Sequence, residues 1–249
     1  MRTLKSAFAI ALLLPAVTGG TTARANDSLL PDFVFARPHR QPGSGVPDNL
    51  DPAISRGECP QLEALVPTEI PVVEIVSGLF VDMPRQSWGL TASDAPVIWF
   101  RVDRSVPNAR FEMVLKNDDG SVVDTYEKTL SVDDRLFAVP LAADSLMRKD
   151  VSYSFVGSME IECATIEGTA PQVLSIASGG QIDRVAPPVS VASLENPKAL
   201  AVAYAEAGLW FDAFNIVAEL HQLDAADAWV NAALADLLLE AEPVKLIQE

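Results

Sequence analysis

The segment 151–163 constrains the fold most, because its apolar side chains recur at every second residue. A period of two predicts a strand with one face in a hydrophobic core. Gly157 lies in the middle, where the strand can bend. The apolar face carries Val151, Tyr153, Phe155, Met159, Ile161 and Cys163, and the polar face carries Ser152, Ser154, Ser158, Glu160 and Glu162.

A second alternating segment predicts a β-hairpin. Phe111, Met113 and Leu115 alternate with polar residues, and the turn sequence Asn117-Asp118-Asp119-Gly120 follows them. An extended pattern then resumes over 122–127. Two such runs around a turn rich in Asn, Asp and Gly are typical of a hairpin.

The region from Cys59 to residue 186 is predicted to be a β domain. Further strands are expected near 70–76, 96–102, 135–141 and 172–176. About seven short antiparallel strands joined by polar turns favour an immunoglobulin-like β-sandwich. Closure of the strands into a barrel is the alternative.

The pattern becomes helical after residue 186. Asn196 followed by Pro197 is typical of a helix N-cap and first helical residue, and Gly208 predicts the helix end. Apolar residues at helical spacing then indicate two more helices. We therefore predict a small helical bundle over 192–249 and an α+β fold class. The spacing of Leu200, Ala201, Tyr204, Gly208 and Ala213 matches a tetratricopeptide repeat, with an ordinary helical hairpin as the equal alternative.

Residues 1–25 have the layout of a cleavable export signal. Arg2 and Lys5 precede a short apolar run, and Ala23-Arg24-Ala25 offers a small-x-small cleavage site. The apolar run is shorter than the roughly 20 residues that span a bilayer. We expect an exported protein, periplasmic or extracellular, cleaved after Ala25. A buried N-terminal helix is the alternative.

Residues 26–58 are predicted to be a flexible linker, because proline and glycine recur without apolar periodicity. His39 lies there beside Arg37 and Arg40, a basic tip that could contact a partner. A solvated linker is the favoured interpretation. The breaking residues are Pro31, Pro38, Pro42, Gly43, Gly45, Pro47 and Pro52.

The charge of the chain limits its partners. There are 34 acidic and 18 basic residues, for a net charge of −16. Such a surface repels phosphate backbones, so we expect no nucleic-acid partner. No later segment is long and apolar enough to span a bilayer, so we expect no membrane span in the mature chain.

The chain has two cysteines, Cys59 and Cys163. In an oxidising compartment, two lone cysteines in one domain are expected to form a disulfide. The alternative is two separate buried thiols. The disulfide would connect the start of the β domain to the inward face of the strand 151–163.

Several short stretches together suggest a family. They are Trp88-Gly89-Leu90-Thr91, Pro96-Val97-Ile98-Trp99-Phe100, Tyr153-Ser154-Phe155 leading to Cys163, and the helical stretch 203–213. Over about residues 59–239 the chain resembles a cyanobacterial family of secreted proteins called domain of unknown function 928, with a short tetratricopeptide-like helical C-terminus. The resemblance implies a compartment and an architecture. It implies no activity.

The sequence contains no recognisable catalytic pattern. His39 and His221 are the only histidines, and neither lies in a nucleophile, zinc or phosphate-binding motif. We therefore expect no catalytic residue, no cofactor and no metal site, and no enzyme. The candidate interaction surface is Trp88, Trp210 and His221. We expect an envelope adaptor that binds another envelope or secreted protein; a glycan-binding module and, behind it, an acid/base hydrolase are the alternatives.

Overall fold

A computed structural model describes residues 33–38, 59–69, 74–76, 79–81, 86–131, 135–142, 146–163 and 172–241. The predicted export signal lies outside the described residues, as does most of the predicted linker. No helix in this described part combines the length and apolarity needed to cross a membrane.

The elements follow the predicted order, with strands first and helices last. The strands are β1 (Leu62–Ala64), β2 (Thr68–Glu69), β3 (Glu74–Val76), β4 (Leu79–Val81), β5 (Gln86–Thr91), β6 (Val97–Val102), β7 (Arg110–Asn117), β8 (Val122–Thr129), β9 (Leu136–Pro140), β10 (Ser152–Cys163) and β11 (Gln172–Arg184). A short 3-10 helix (Val189–Ser193) precedes α1 (Pro197–Glu206), α2 (Trp210–Leu223) and α3 (Ala228–Ala241). The α+β class is confirmed.

The strands form a six-stranded sheet in the order β2-β5-β11-β10-β7-β8, a three-stranded sheet in the order β1-β6-β9, and the pair β3-β4. The β7–β8 pair is the predicted hairpin, and its turn carries a Ser121 amide that donates to Asn117 Oδ1 at 2.9 Å. The longest pairing joins β10 to β11, from Ser152 opposite Asp183 to Cys163 opposite Gln172.

The expectation of purely antiparallel strands is wrong at one place. β5 pairs with β11 in parallel, with Gln181 opposite Trp88 and Arg184 opposite Thr91. Between β5 and β11 the chain forms β6 and β9 of the three-stranded sheet and β7, β8 and β10 of the larger sheet. Because β11 takes its place beside β5 only after these strands, tertiary packing sets the parallel direction of the pair. The larger sheet is therefore mixed, and the immunoglobulin-like topology is not confirmed. The described strands do not close into a barrel.

Aromatic rings fill the space between the two larger sheets. Phe100 of β6 lies 4.9 Å from Phe111 of β7 and 6.1 Å from Phe155 of β10, measured between ring centroids. Gly157 makes room for this ring, because a Cβ atom there would lie 2.5 Å from Cε1 of Phe100. β10 keeps its pairing with both neighbours through Gly157, so the glycine serves close packing.

The predicted disulfide is confirmed. Cys59 and Cys163 are bonded, with their Cα atoms 5.6 Å apart, and both are buried. Cys163 is the last residue of β10 and points into the core, as the alternation predicts. The bond connects the chain just before β1 to the end of the central strand.

Both ends of α1 are confirmed. The Asn196 side chain accepts hydrogen bonds from the amides of Lys198 and Ala199, at 2.9 and 3.5 Å, and Pro197 is the first helical residue. Gly208 follows the helix with φ +72°, a left-handed conformation that favours glycine.

The helices share one hydrophobic core with the sheets. Phe211 of α2 lies 6.3 Å from Phe155, between ring centroids. Trp99 Nε1 donates to Oδ1 of Asn215 at 3.1 Å. The helical segment is therefore packed on the β domain along α2 rather than held away from it.

Candidate functional site

Trp88, a member of the candidate interaction surface, is buried in the structure. It is 6% exposed, and its Nε1 donates to Oδ2 of Asp183 at 2.7 Å. The Ser152 hydroxyl donates to the other carboxylate oxygen of Asp183 at 2.5 Å. Trp88 therefore contributes to a polar cluster on the six-stranded sheet.

Trp210 is also buried, but it lies directly beneath a bound segment of chain. It is 0% exposed, and its Nε1 donates to the Leu65 carbonyl at 3.0 Å. Its ring centroid lies 5.2 Å from that of Phe35 in an edge-to-face arrangement. The sequence left the exposure of Trp210 open, and the structure places it under the Phe35 ring.

His221 lies at the opposite end of α2 from Trp210. It lies in the last turn of α2, about 16 Å along the helix axis from Trp210, which begins the same helix. Its Nδ1 is buried without a hydrogen-bond partner among the described residues. Because Trp88 and Trp210 are buried and His221 lies at the other end of α2 from Trp210, the three do not form one exposed surface.

Residues 33–38 lie along the helices in an arrangement that the sequence did not predict. We call them the N-terminal segment. They contact both ends of α3, the end of α1 and the start of α2. The surface that holds them is here called the helical groove, and it is lined by Ala205, Gly208, Trp210, Trp229 and Glu240.

The N-terminal segment runs in the same direction as α3. Phe33 lies 5.9 Å from Trp229, at the start of that helix, and Arg37 contacts Glu240 near its end. Four extended residues advance about 13 Å, and the eleven helical steps from Trp229 to Glu240 advance about 16 Å. The two lengths therefore match closely enough for one segment to contact both ends.

Alternate residues of the N-terminal segment face the helical groove. Phe33 is buried and Phe35 is partly buried, whereas Val34 between them is 61% exposed. A period of two is the pattern of an extended peptide that presents one edge to its binding surface. Phe33, Phe35 and Arg37 are thus the residues by which the segment is held.

The main chain of the segment approaches the turn between α1 and α2. The Ala36 amide donates to the Ala205 carbonyl at 3.0 Å. A Cβ atom at Gly208 would lie 2.8 Å from the Ala36 carbonyl oxygen. Gly208 therefore serves two purposes, because it ends α1 and leaves room for the segment.

Near the C-terminal end of the N-terminal segment, Arg37 donates to a group of oxygen acceptors. Its Nε donates to the Glu240 carboxylate, and its Nη1 donates to the Thr68 carbonyl at 2.9 Å. Nη2 donates to the Glu240 carbonyl at 3.4 Å. The two Glu240 oxygens lie in the last turn of α3, where the helix dipole also favours a cation, and the Thr68 carbonyl is supplied by β2. This end of the helical groove therefore favours a guanidinium group.

At the opposite end of the helical groove, a cation from α1 forms an ion pair at the start of α3. Lys198 Nζ donates to Oδ2 of Asp227 at 2.8 Å and lies 5.5 Å from the Trp229 ring centroid. Asp227 Oδ1 accepts from the Val230 amide at 3.0 Å, capping α3. The hydrogen bond from Lys198, followed by that from Val230, lowers the pKa of Asp227. This pair joins the starts of α1 and α3.

A buried carboxylate fixes α2 to the β domain. Asp212 Oδ2 accepts from the Ala92 amide, in the connection between β5 and β6, at 2.8 Å. Burial raises the pKa of Asp212, while hydrogen bonds from Ala92, Thr91 and Ser93 act in the opposite direction. Asp212 thus holds the helix that forms the floor of the helical groove.

The helical groove provides recognition chemistry. It offers aromatic rings, one main-chain acceptor and a carboxylate at the helix end, which suit an extended peptide. Among the described residues, no three His, Cys, Asp or Glu side chains gather as a metal site would require.

Phe33 and Phe35 were not singled out from the sequence, and Arg37 was named only as part of a basic tip. Residues 33–38, expected to be part of a flexible linker, pack against the helices. The surrounding prolines and glycines favoured a flexible linker. The available signal was the apolar run Phe33-Val34-Phe35, which is unusual in a stretch with the composition of a linker.

Comparison with known protein families gives a match over most of the chain. A family model described as Domain of Unknown Function (DUF928) matches residues 52–248. No curated protein matches the chain. The family match includes every residue of the helical groove and begins after the N-terminal segment.

Proposed function

The chain belongs to the DUF928 family, and we propose that it is an exported, non-catalytic adaptor that binds an extended peptide of another envelope protein in its helical groove. The observation that carries the proposal is the bound N-terminal segment. A peptide is already held there by side chains at alternate positions and by a hydrogen bond from Ala36 to Ala205.

The recognition mode supports specificity for a peptide. Extended peptides gain affinity from main-chain hydrogen bonds and specificity from pockets that receive alternate side chains. Here Trp229 and Trp210 receive rings, and Glu240 receives a cation. Tryptophan is among the residues that most often dominate binding energy at interfaces.

Export is supported by the signal-like residues 1–25 and by the Cys59–Cys163 bond, which suits an oxidising compartment. The high net negative charge suits a protein that stays in solution and selects cationic partners.

The glycan-binding alternative loses its main support. It needed exposed tryptophans, yet Trp88 is 6% exposed and Trp210 is 0% exposed. Both indole nitrogens already donate to protein oxygens. The peptide-binding proposal requires only a Trp210 that packs against an aromatic ring of the bound segment, as it does against Phe35.

The test is a crosslinking pull-down from an envelope extract with the full chain as bait. A Glu240→Lys bait reverses the charge at the groove end, and Glu160→Lys reverses an exposed charge on β10 as the matched control. We expect one protein to be lost with Glu240→Lys, to be kept with Glu160→Lys, and to carry crosslinks to residues beside Trp229 and Ala205. Equal recovery with both baits, or crosslinks only on the β domain, would contradict the proposal.

A further inference from the structure

We propose that the N-terminal segment is an intramolecular competitor, and that the partner must displace it with an extended peptide of the pattern aromatic-x-aromatic-x-Arg. This inference rests on the proposed function, since it specifies the ligand of the helical groove and how access to it is controlled.

The pattern follows from which positions of the segment make contact. Phe33 and Phe35 face Trp229 and Trp210, whereas Val34 is 61% exposed. The Ala36 position contributes its amide, a group that any residue except proline provides. Only the first, third and fifth positions are therefore selected by side chain.

The fifth position requires an arginine rather than any cation. Its three nitrogens reach three oxygens in different directions: the Glu240 carboxylate, the Glu240 carbonyl and the Thr68 carbonyl. A planar guanidinium has donors that spread in this way, whereas a lysine ammonium is a single point of charge. An acidic residue at this position would meet both Glu240 and the negative end of the helix dipole.

The segment is separable from the helical groove. Residues 39–58 connect Pro38 to Cys59, which is buried and disulfide-bonded. Within the described part of the chain, release of the segment breaks the Ala36–Ala205 hydrogen bond and the contacts of Phe33, Phe35 and Arg37. Residues 33–38 belong neither to a strand nor to the disulfide. The family match likewise starts at residue 52, so it includes the groove and leaves out the segment.

The covalent connection makes the segment an effective competitor. A segment tethered near its own site has an effective concentration on the order of millimolar. A separate peptide with identical contacts at about 10 μM would then occupy only about one groove in a hundred. To displace the N-terminal segment, a partner therefore needs contacts outside the helical groove, or the N-terminal segment must already be loosened.

The experiment measures binding of a fluorescein-labelled peptide with the sequence of residues 31–40 by fluorescence anisotropy. It compares the unsubstituted full chain with a loosened full chain carrying Phe33→Ala, Phe35→Ala and Arg37→Ala. We expect the loosened chain to bind the peptide at least about tenfold more tightly. A peptide with glutamate in place of Arg37 should not bind it, and Glu240→Lys in the loosened chain should reverse that preference between the two peptides.

The outcomes separate the two proposals. Equal binding by the unsubstituted and loosened chains would overturn self-competition and leave the peptide-binding proposal standing. No binding to either chain, with both folded by circular dichroism, would overturn the peptide-binding proposal itself. If the triple variant does not fold, Arg37→Glu alone provides the loosened chain, because this side chain is exposed at the end of the groove. The same gain is expected, and its absence would overturn self-competition.

Discussion

The guanidinium of Arg37 contacts the carboxylate of Glu240 across 203 positions of sequence. The first residue belongs to a stretch with the composition of a linker, and the second lies near the end of the last described helix. Their contact fixes the direction of the N-terminal segment, because it places the cation of the segment at the end of α3.

Charge reversal tests this contact. Arg37→Glu or Glu240→Lys alone should lower the free energy of unfolding, because each places two like charges together. The double substitution should recover part of the loss. Both side chains are about one-third exposed, so we expect a coupling energy of about 0.2–1 kcal/mol. A double-mutant cycle from urea denaturation measures it, and a coupling of zero would show that the pair is dispensable.

Removal of the Phe35 ring should uncover Trp210. Phe35→Ala is expected to cost about 1–2 kcal/mol of unfolding free energy, less than a fully buried ring, because Phe35 is only partly buried. Tryptophan fluorescence should shift to longer wavelength as water reaches the indole. Val34→Ala is the control, since Val34 is 61% exposed and its truncation should change neither quantity. Equal effects of the two substitutions would argue against the observed alternation.

Asp212 should give the stability of the protein a distinctive pH dependence. Burial raises its pKa above the ordinary 3.8, so the folded state holds this proton more tightly than the unfolded state. Its contribution to the free energy of unfolding is therefore fully present below pH 3.8 and is lost as the pH rises through the folded pKa. Asp212→Asn keeps an acceptor for the Ala92 amide and cannot ionise. The free energy of unfolding of the unsubstituted chain minus that of Asp212→Asn should thus decrease with rising pH.

Asp227 provides the opposite case in the same helices. The hydrogen bond from Lys198 lowers its pKa, so its contribution is present above the unfolded pKa and is lost as the pH falls through the folded value. Urea denaturation of Asp227→Asn from about pH 2 to 5 should give a difference from the unsubstituted chain that rises with pH, whereas the difference for Asp212→Asn should fall as the pH rises above about 4. Slopes of the same sign would contradict the surroundings described for one of these two carboxyl groups.

The disulfide should contribute strongly to stability. Cys59 and Cys163 are separated by 104 residues, and for a loop of this length the chain-entropy model gives up to about 4.7 kcal/mol. Cys59→Ala together with Cys163→Ala should lower the urea midpoint, and a reducing agent should lower that of the unsubstituted chain alone. A reductant effect on the double variant would point to another cause.

The sequence predicted those parts of the fold whose signal is local. Asn196, Pro197 and Gly208 delimit α1 by hydrogen bonds and backbone conformations within a few residues. The alternation along β10 and the turn after Asn117 are likewise local patterns. The α+β class, the hairpin and the inward direction of Cys163 followed from them.

The parts that could not be predicted depend on distant partners. Nothing near Trp88 or Gln181 specifies that β5 pairs with β11 in parallel, since the partner is selected after the intervening strands are placed. The binding of the N-terminal segment is similar, because Phe35 alone does not show that Trp210 lies beneath it. Composition favoured a linker there, and specific packing overrode it.

The contact between Arg37 and Glu240 also has a consequence for the order in which the protein is made. The N-terminal segment leaves the ribosome early, but its binding site is incomplete until the chain has been synthesised through Glu240. For most of synthesis Phe33 has no Trp229, and Phe35 no Trp210, to pack against. A growing chain therefore carries an aromatic peptide and, later, an empty groove, and the two can be captured separately before they meet.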